Sequence, residues 1–135
     1  PDMRDNVRHR ASLEHDLRAA IARGEMMVWY QPIFAARDDK TILRGFEALC
    51  RWAHPERGVI APSEFIPLAE ETGMIVPLGS WVIGEACRHM MALAPNGPHA
   101  PWVSVNVAAR QLVDGALIDI VERALETSGL EARRL

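Results

Sequence analysis

Long apolar runs are missing from this chain. No stretch of its 135 residues approaches the ~18–20 needed for a membrane-spanning helix, and no secretory leader pattern opens it. That predicts a cytoplasmic domain, with any membrane anchor carried by upstream segments. A basic excess is missing as well. Fifteen Lys and Arg against 18 Asp and Glu give a net charge of −3, which excludes the electrostatic footprint of a protein that grips duplex DNA or RNA. A phosphate-bearing ligand would need local help from an Arg or a metal ion. Cysteine is scarce. Cys50 and Cys87 are the only two, and neither lies in a CxxC or Cys/His ligand pattern, so they predict buried thiols in a reducing compartment. His9, His15, His54, His89 and His99 are scattered without an H-x-H or H-x₃-H pair, which argues against a histidine metal centre. There is no internal repeat and no low-complexity tract, and ERGVIAP lacks the Gly-Lys-Ser/Thr ending of a phosphate loop.

What is present suffices for one compact domain, with 49% of residues hydrophobic. The lead-in PDMRDNVRHR is polar and aperiodic, and reads as a linker or helix extension from an upstream domain over residues 1–10. The start at Pro1 rather than Met supports the same expectation. Leu13, Leu17, Ala20 and Ile21 follow helical spacing, with Gly24 as the stop. Met26 to Phe34 is rich in β-formers, and Pro32 confines it to an edge or a strand end. AARDDK predicts a turn. Ile42 to Trp52 predicts a second strand, apolar enough to be buried on both faces. AHPERGVIAP predicts a loop, and Ser63 could cap a short helix running through Glu71 and closed by Gly73. Val82, Ile83, Ala86, Cys87, Met90 and Met91 mark an amphipathic helix ended by Pro95. Trp102 to Ala108 predicts a third strand. Leu117, Ile120, Val121, Ala124 and Leu125 form a last helical stripe, with Gly129 beyond. The alternation of strand and helix argues an α/β fold with a parallel sheet. Three strands are too few to close a parallel barrel, which takes about 250 residues.

Side chains alternate across a strand. Glu47, Leu49 and Arg51 therefore share one face of the second strand, and Phe46, Ala48, Cys50 and Trp52 the other. In the third strand Ser104 and Asn106 share a face. Glu47 and Asn106 are hard oxygen donors that suit Mg²⁺ or Mn²⁺. From composition alone the plain alternative stands beside this: Glu47 paired with Arg51 or another cation, and Asn106 bonded to backbone. Trp29, Trp52, Trp81 and Trp102 read as core rather than stacking platforms, and Met26, Met27, Met90 and Met91 as gap-filling core. Glu70 and Glu71, at a helix end, read as solvated or capping.

GFEALCRWAHPERG (Gly45 to Gly58) resembles the signature of EAL domains, including the Glu-Ala-Leu triplet at 47–49 that names the family. The resemblance continues through PSEFIPLAEETGMIVPLGSWVIGEAC (Pro62 to Cys87) and VSVNVAARQL (Val103 to Leu112). YQPI at Tyr30 to Ile33 fits the family's first strand. Several motifs in one order are far more specific than a lone short pattern. The resemblance implies a TIM-barrel-like, (β/α)₈-type fold with the first strand antiparallel. Residues 11–135 would supply its N-terminal half, with only the first three strands and their helices. It implies hydrolysis of cyclic di-GMP to linear pGpG with two Mg²⁺ or Mn²⁺ ions. Glu47 and Asn106 match metal-binding positions; Gln31, Leu49 and Arg51 match positions at the nucleotide. Cys50, where an aliphatic residue is common, and Ala108, where Ser is common, depart from the pattern without removing a ligand.

The family's remaining metal carboxylates and its catalytic Lys fall on later strands. The 135 residues alone are therefore expected to be inactive, and to self-associate or form a homodimer through their free strand edge. A GGDEF or sensory domain is expected upstream. The competing function is a degenerate EAL domain that serves as a cyclic di-GMP receptor or a protein-interaction module. An unrelated barrel enzyme is a third reading that fold alone would allow.

Overall fold

The computed structural model describes residues 3–113 and 115–135. Pro1 and Asp2, the first two residues of the polar lead-in, lie outside the described residues.

A helix spans Met3–Ala20 (α1), so the rest of the lead-in is helical. Its first two turns are exposed, and only Leu13, Leu17 and Ala20 reach the core. The chain then forms a long antiparallel hairpin of Met26–Arg37 (β1) and Lys40–His54 (β2). The strands run further than Phe34 and start earlier than Ile42, because the turn is only Asp38–Asp39. Both residues adopt positive φ (50° and 59°), the left-handed pair that a two-residue hairpin turn demands. Pairing with β2 holds exposed Ala35, Ala36 and Arg37 extended against their weak strand propensity. A register shift between Ile33 and Phe34 marks a bulge in β2 at Arg44, which has no partner on β1. β1 lies at the sheet's edge, which is where Pro32, lacking an N–H, can be accommodated.

The expected loop after β2 contains a further short strand, Gly58–Ile60 (β3), folded back on Trp52, Ala53 and His54. Helices Pro62–Thr72 (α2) and Ile75–Leu93 (α3) follow. Ser63 does not cap α2. The N-cap is Ala61, with Pro62 opening the helix, while Gly73 closes it at φ 81° as its sequence position predicts. The third strand is shorter than expected, Trp102–Val105 (β4), and pairs in parallel with Gly45–Ala48 of β2. Beyond Val105 the chain leaves β2 and enters a 3₁₀ turn at Ala109–Leu112, so Asn106 stands just past the strand end. The last helix is Ala116–Ser128 (α4), ended by Gly129 at φ 73°. A reversed first strand beside a parallel pair with helices on one side is part of a TIM-barrel-like EAL fold.

β2 is not buried on both faces. Ala48, Trp52 and His54 are buried against the helices, whereas Glu47, Leu49 and Arg51 are half-buried and Thr41–Arg44 exposed. The core has two parts. In one, Trp52 meets Phe65 edge-to-face at 5.9 Å and packs with Leu13, Leu17 and Leu68. The buried indole N–H is satisfied by Glu25 Oε2 at 2.9 Å. In the other, Ala48 and Val103 pack on Ile83, Cys87 and Met90, while Leu117, Ile120, Val121 and Leu125 of α4 are partly buried alongside. Gly45 is required where it stands. Trp102 lies directly over it in the parallel register, and a Cβ there would lie 2.6 Å from the Trp102 carbonyl oxygen. Arg134 is buried without a carboxylate among the described residues. Its guanidinium instead binds the carbonyls of Met90, Ala94 and Pro101, and the Asn96 side chain. Cationic N–H groups at a helix C-terminus satisfy orphan carbonyls and complement the dipole.

Candidate functional site

The sheet's other face, away from the helices, is open and polar. The β1–β2 register sets Gln31 opposite Glu47 and Trp29 opposite Leu49, so these four side chains emerge together. Parallel pairing sets Ser104 beside Glu47, and Asn106 two residues on keeps the same side. Asn106 Nδ2 donates to Glu47 Oε1 at 2.9 Å, across 59 residues of sequence. All five site positions expected from the sequence therefore gather on one face: Gln31, Glu47, Leu49, Arg51 and Asn106.

The plain alternative for these polar groups is not what forms. Arg51 does not pair with Glu47. Its Nη1 donates to the Cys50 carbonyl at 2.9 Å, and its guanidinium lies 5.0 Å from the centre of the Trp29 ring. Asn106 bonds the carboxylate, not backbone. A carboxylate and an amide carbonyl are the hard donors a divalent cation of the Mg²⁺ or Mn²⁺ type takes. They fit such an ion in kind, though two side chains are well short of a full octahedron. Among the described residues no cluster of three or more acidic, His or Cys side chains could hold a metal.

Beside this pair, a cleft of about 470 Å³ opens where β2 and β4 part company. Leu49, Cys50, Asn106 and Ala108 line one side, and α2 and α3 the other. Cys50 is half-buried rather than buried, and burial pushes its thiol up to about 11. The Cys87 thiol is also pushed up by burial. Neither is a nucleophile near neutral pH. Two of the five histidines, His54 and His89, have ordinary structural work. Buried His54 meets Asp16 at 3.2 Å through Nε2 and accepts the Glu56 N–H at Nδ1, and His89 Nδ1 meets the Tyr30 hydroxyl at 2.6 Å. Glu71, at the end of α2, is exposed and pairs with Arg10.

Trp29 is the site-face residue that sequence reasoning misplaced. It is not core: it is 49% exposed, on the open face. Its strand parity, the same as that of Gln31, was the signal. Met27 and Met91 are half-buried, whereas Met26 and Met90 are true core.

A family model described as the EAL domain matches residues 14–135. The chain is 44% identical over 134 residues to the bifunctional diguanylate cyclase/cyclic di-GMP phosphodiesterase MucR of Pseudomonas aeruginosa, covering 98% of this chain and 19% of MucR. It is 41% identical over 120 residues to the cyclic di-GMP phosphodiesterase NbdA of the same organism, covering 89% of this chain and 15% of NbdA. Among solved structures, the MucR phosphodiesterase in complex with c-di-GMP superposes with a TM-score of 0.83 at 43% identity, covering 92% of this chain and 49% of that one. The chain thus spans less than a fifth of these relatives and about half of the solved domain. No helix among the described residues is long and apolar enough to cross a membrane.

Proposed function

The chain belongs to the EAL domain family, and from that premise we propose that residues 11–135 are the N-terminal half of a domain that hydrolyses cyclic di-GMP to linear pGpG. Water adds across one phosphodiester: its oxygen goes to phosphorus and a proton to the ribose oxygen that leaves. The observation that carries the reading is the 2.9 Å contact between Asn106 and Glu47. It joins an oxygen-donor side chain of β2 to one just past the end of β4, on a face that also carries the Arg51 guanidinium.

In this reading Glu47 and Asn106 hold a divalent cation, one of two Mg²⁺ or Mn²⁺ ions in the complete domain. When bound, such an ion supplies Lewis acidity for activating water and for easing the departure of the leaving oxygen. Arg51 offers a planar fork of donors to a phosphate. Gln31, opposite Glu47 and exposed, has an amide to offer the nucleotide, and Leu49 gives it an apolar floor. A protein of net charge −3 needs local cations of this kind to receive an anionic ligand. Retention of Glu47, Arg51 and Asn106 favours the enzyme over a degenerate receptor.

The test is Glu47→Gln in the complete domain, with pGpG formation followed in Mn²⁺. Removing a ligand carboxylate should lower turnover by at least about a hundredfold, since even indirect partners of metal ligands are worth 10–100-fold. Undiminished turnover would overturn the assignment. We further propose that the 135 residues by themselves are inactive and self-associate, because two ligand side chains do not build the site and the sheet edge is open. Light scattering on the isolated chain with a parallel hydrolysis assay checks this; a monomer that turns over cyclic di-GMP would refute it.

A further inference from the structure

Trp29 is half-exposed on an edge strand, although its indole is among the largest apolar surfaces in the chain. Simple burial does not account for its place. Its one distinctive neighbour is Arg51, whose guanidinium carbon sits 5.0 Å from the ring centroid, within the range of a cation–π contact. The two residues are diagonal neighbours across the hairpin, since Trp29 pairs with Leu49 and Met27 with Arg51. The guanidinium is therefore held twice: by the Trp29 ring, and by the Cys50 carbonyl on Nη1. No carboxylate among the described residues pairs with it.

We propose that Trp29 is a positioning residue for Arg51, which holds the guanidinium ready for a phosphate of the cyclic dinucleotide. This rests on the reading given under Proposed function. A long cationic side chain in solvent samples many rotamers, and fixing it at the moment of binding costs affinity. A ring that fixes it beforehand removes that cost. The choice of partner matters chemically. A carboxylate would also fix the guanidinium, but it would neutralise the charge and compete with phosphate for the same fork of donors. The quadrupole of an indole attracts the cation without carrying a formal charge, so the guanidinium stays positive and most of its N–H groups stay available.

The experiment uses the complete protein that contains this chain. Binding of cyclic di-GMP is measured by calorimetry in EDTA, to prevent turnover, and kcat and KM are measured in Mn²⁺. The variants are Trp29→Leu, Trp29→Phe, Arg51→Ala and the double variant Trp29→Leu/Arg51→Ala. Trp29→Leu should weaken binding and raise KM by about fivefold, the factor expected for a partly exposed cation–π contact, with kcat changed much less. Trp29→Phe, which keeps a ring, should recover most of the loss. In the Arg51→Ala background, Trp29→Leu should have no further effect, since the two residues act as one unit. Melting curves of the single variants should overlay that of the natural protein. Wild-type affinity in Trp29→Leu overturns the inference. An equal loss in the Arg51→Ala background also overturns it, because the ring would then be touching the nucleotide itself. If the natural protein neither binds nor cleaves cyclic di-GMP, the reading of the whole site fails, which is a distinct result.

Discussion

Replacing Gly45 by Ala adds one methyl group at the point where β4 docks on β2. That methyl would meet the Trp102 ring, and it would lie 2.6 Å from the Trp102 carbonyl oxygen. Turning the indole aside relieves only the first clash. The second involves backbone, so β4 itself has to move. Overpacking of this kind costs about 1–3 kcal/mol. With an unfolding entropy of about 2 cal/mol/K per residue over a chain of this length, a 2 kcal/mol loss lowers the melting midpoint by about 7 °C. Gly84→Ala is the matched control. It sits within α3, its φ is not positive, and an added Cβ meets nothing within 4 Å. There the same methyl should stabilise by about 0.5–1 kcal/mol through helix propensity and a restricted unfolded chain. Urea or thermal unfolding of both variants reads the comparison. The Gly45 variant should also lose the Asn106–Glu47 contact, which lies two residues along β2 from Gly45 and four residues along the chain from Trp102. A Gly45→Ala midpoint equal to that of the unsubstituted protein would refute the idea that this close approach sets the β2–β4 register.

Arg134→Leu should destabilise by about 2–4 kcal/mol, because removing the guanidinium strands the buried carbonyls of Met90, Ala94 and Pro101; a chemical denaturation midpoint checks it. Tyr30 is the chain's only tyrosine, and burial, aided by the charge of Glu85, pushes its hydroxyl up to about 12. Absorbance at alkaline pH should therefore show no phenolate until well above pH 10. The sign follows from the direction: the neutral form is favoured in the folded state, so this contribution is intact below the ordinary pKa of 10 and is lost as pH rises from there toward 12. A phenolate transition near 10 in the folded chain would contradict the burial seen for this ring.

The period-two pattern of β2 divides Glu47, Leu49 and Arg51 from Ala48, Cys50 and Trp52, while the roles expected of Gln31, Leu49 and Arg51 come only from the resemblance to the EAL signature. Helix ends marked by Gly73 and Gly129 were equally legible, because an αL terminus strongly favours glycine. Two things were not. The strand extension through Ala35–Arg37 is imposed by cross-strand pairing that local propensity does not encode. β4 stops at Val105 because β2 and β4 diverge there, and that separation is a tertiary event. Trp29 was read as core from residue type, although its position in the alternation already placed it beside Gln31. Of the site's chemistry, the sequence suggested the donors but not their partner. Only the folded chain puts the Asn106 amide on Glu47.

The site face is assembled on two very different length scales. Trp29, Gln31, Glu47, Leu49 and Arg51 all belong to one hairpin closed by the two-residue Asp38–Asp39 turn. Hairpins of this kind form within microseconds. Asn106 arrives from 59 residues away, just past the end of β4, which pairs in parallel with β2 and follows α2 and α3 in the sequence. Non-local parallel pairing pays its loop-closure entropy before any contact rewards it, so it comes late. An early folding species would thus present the residues proposed to meet the nucleotide without the complete pair proposed to hold a cation. A divalent ion that needs both Glu47 and Asn106 would bind only after β4 docks, and by mass action would stabilise that last step alone. If the complete domain holds a cation as proposed, that affinity gauges folding completeness: ion titrated during refolding of the complete domain should bind with the slow phase of β4 docking, not with the fast phase of the hairpin.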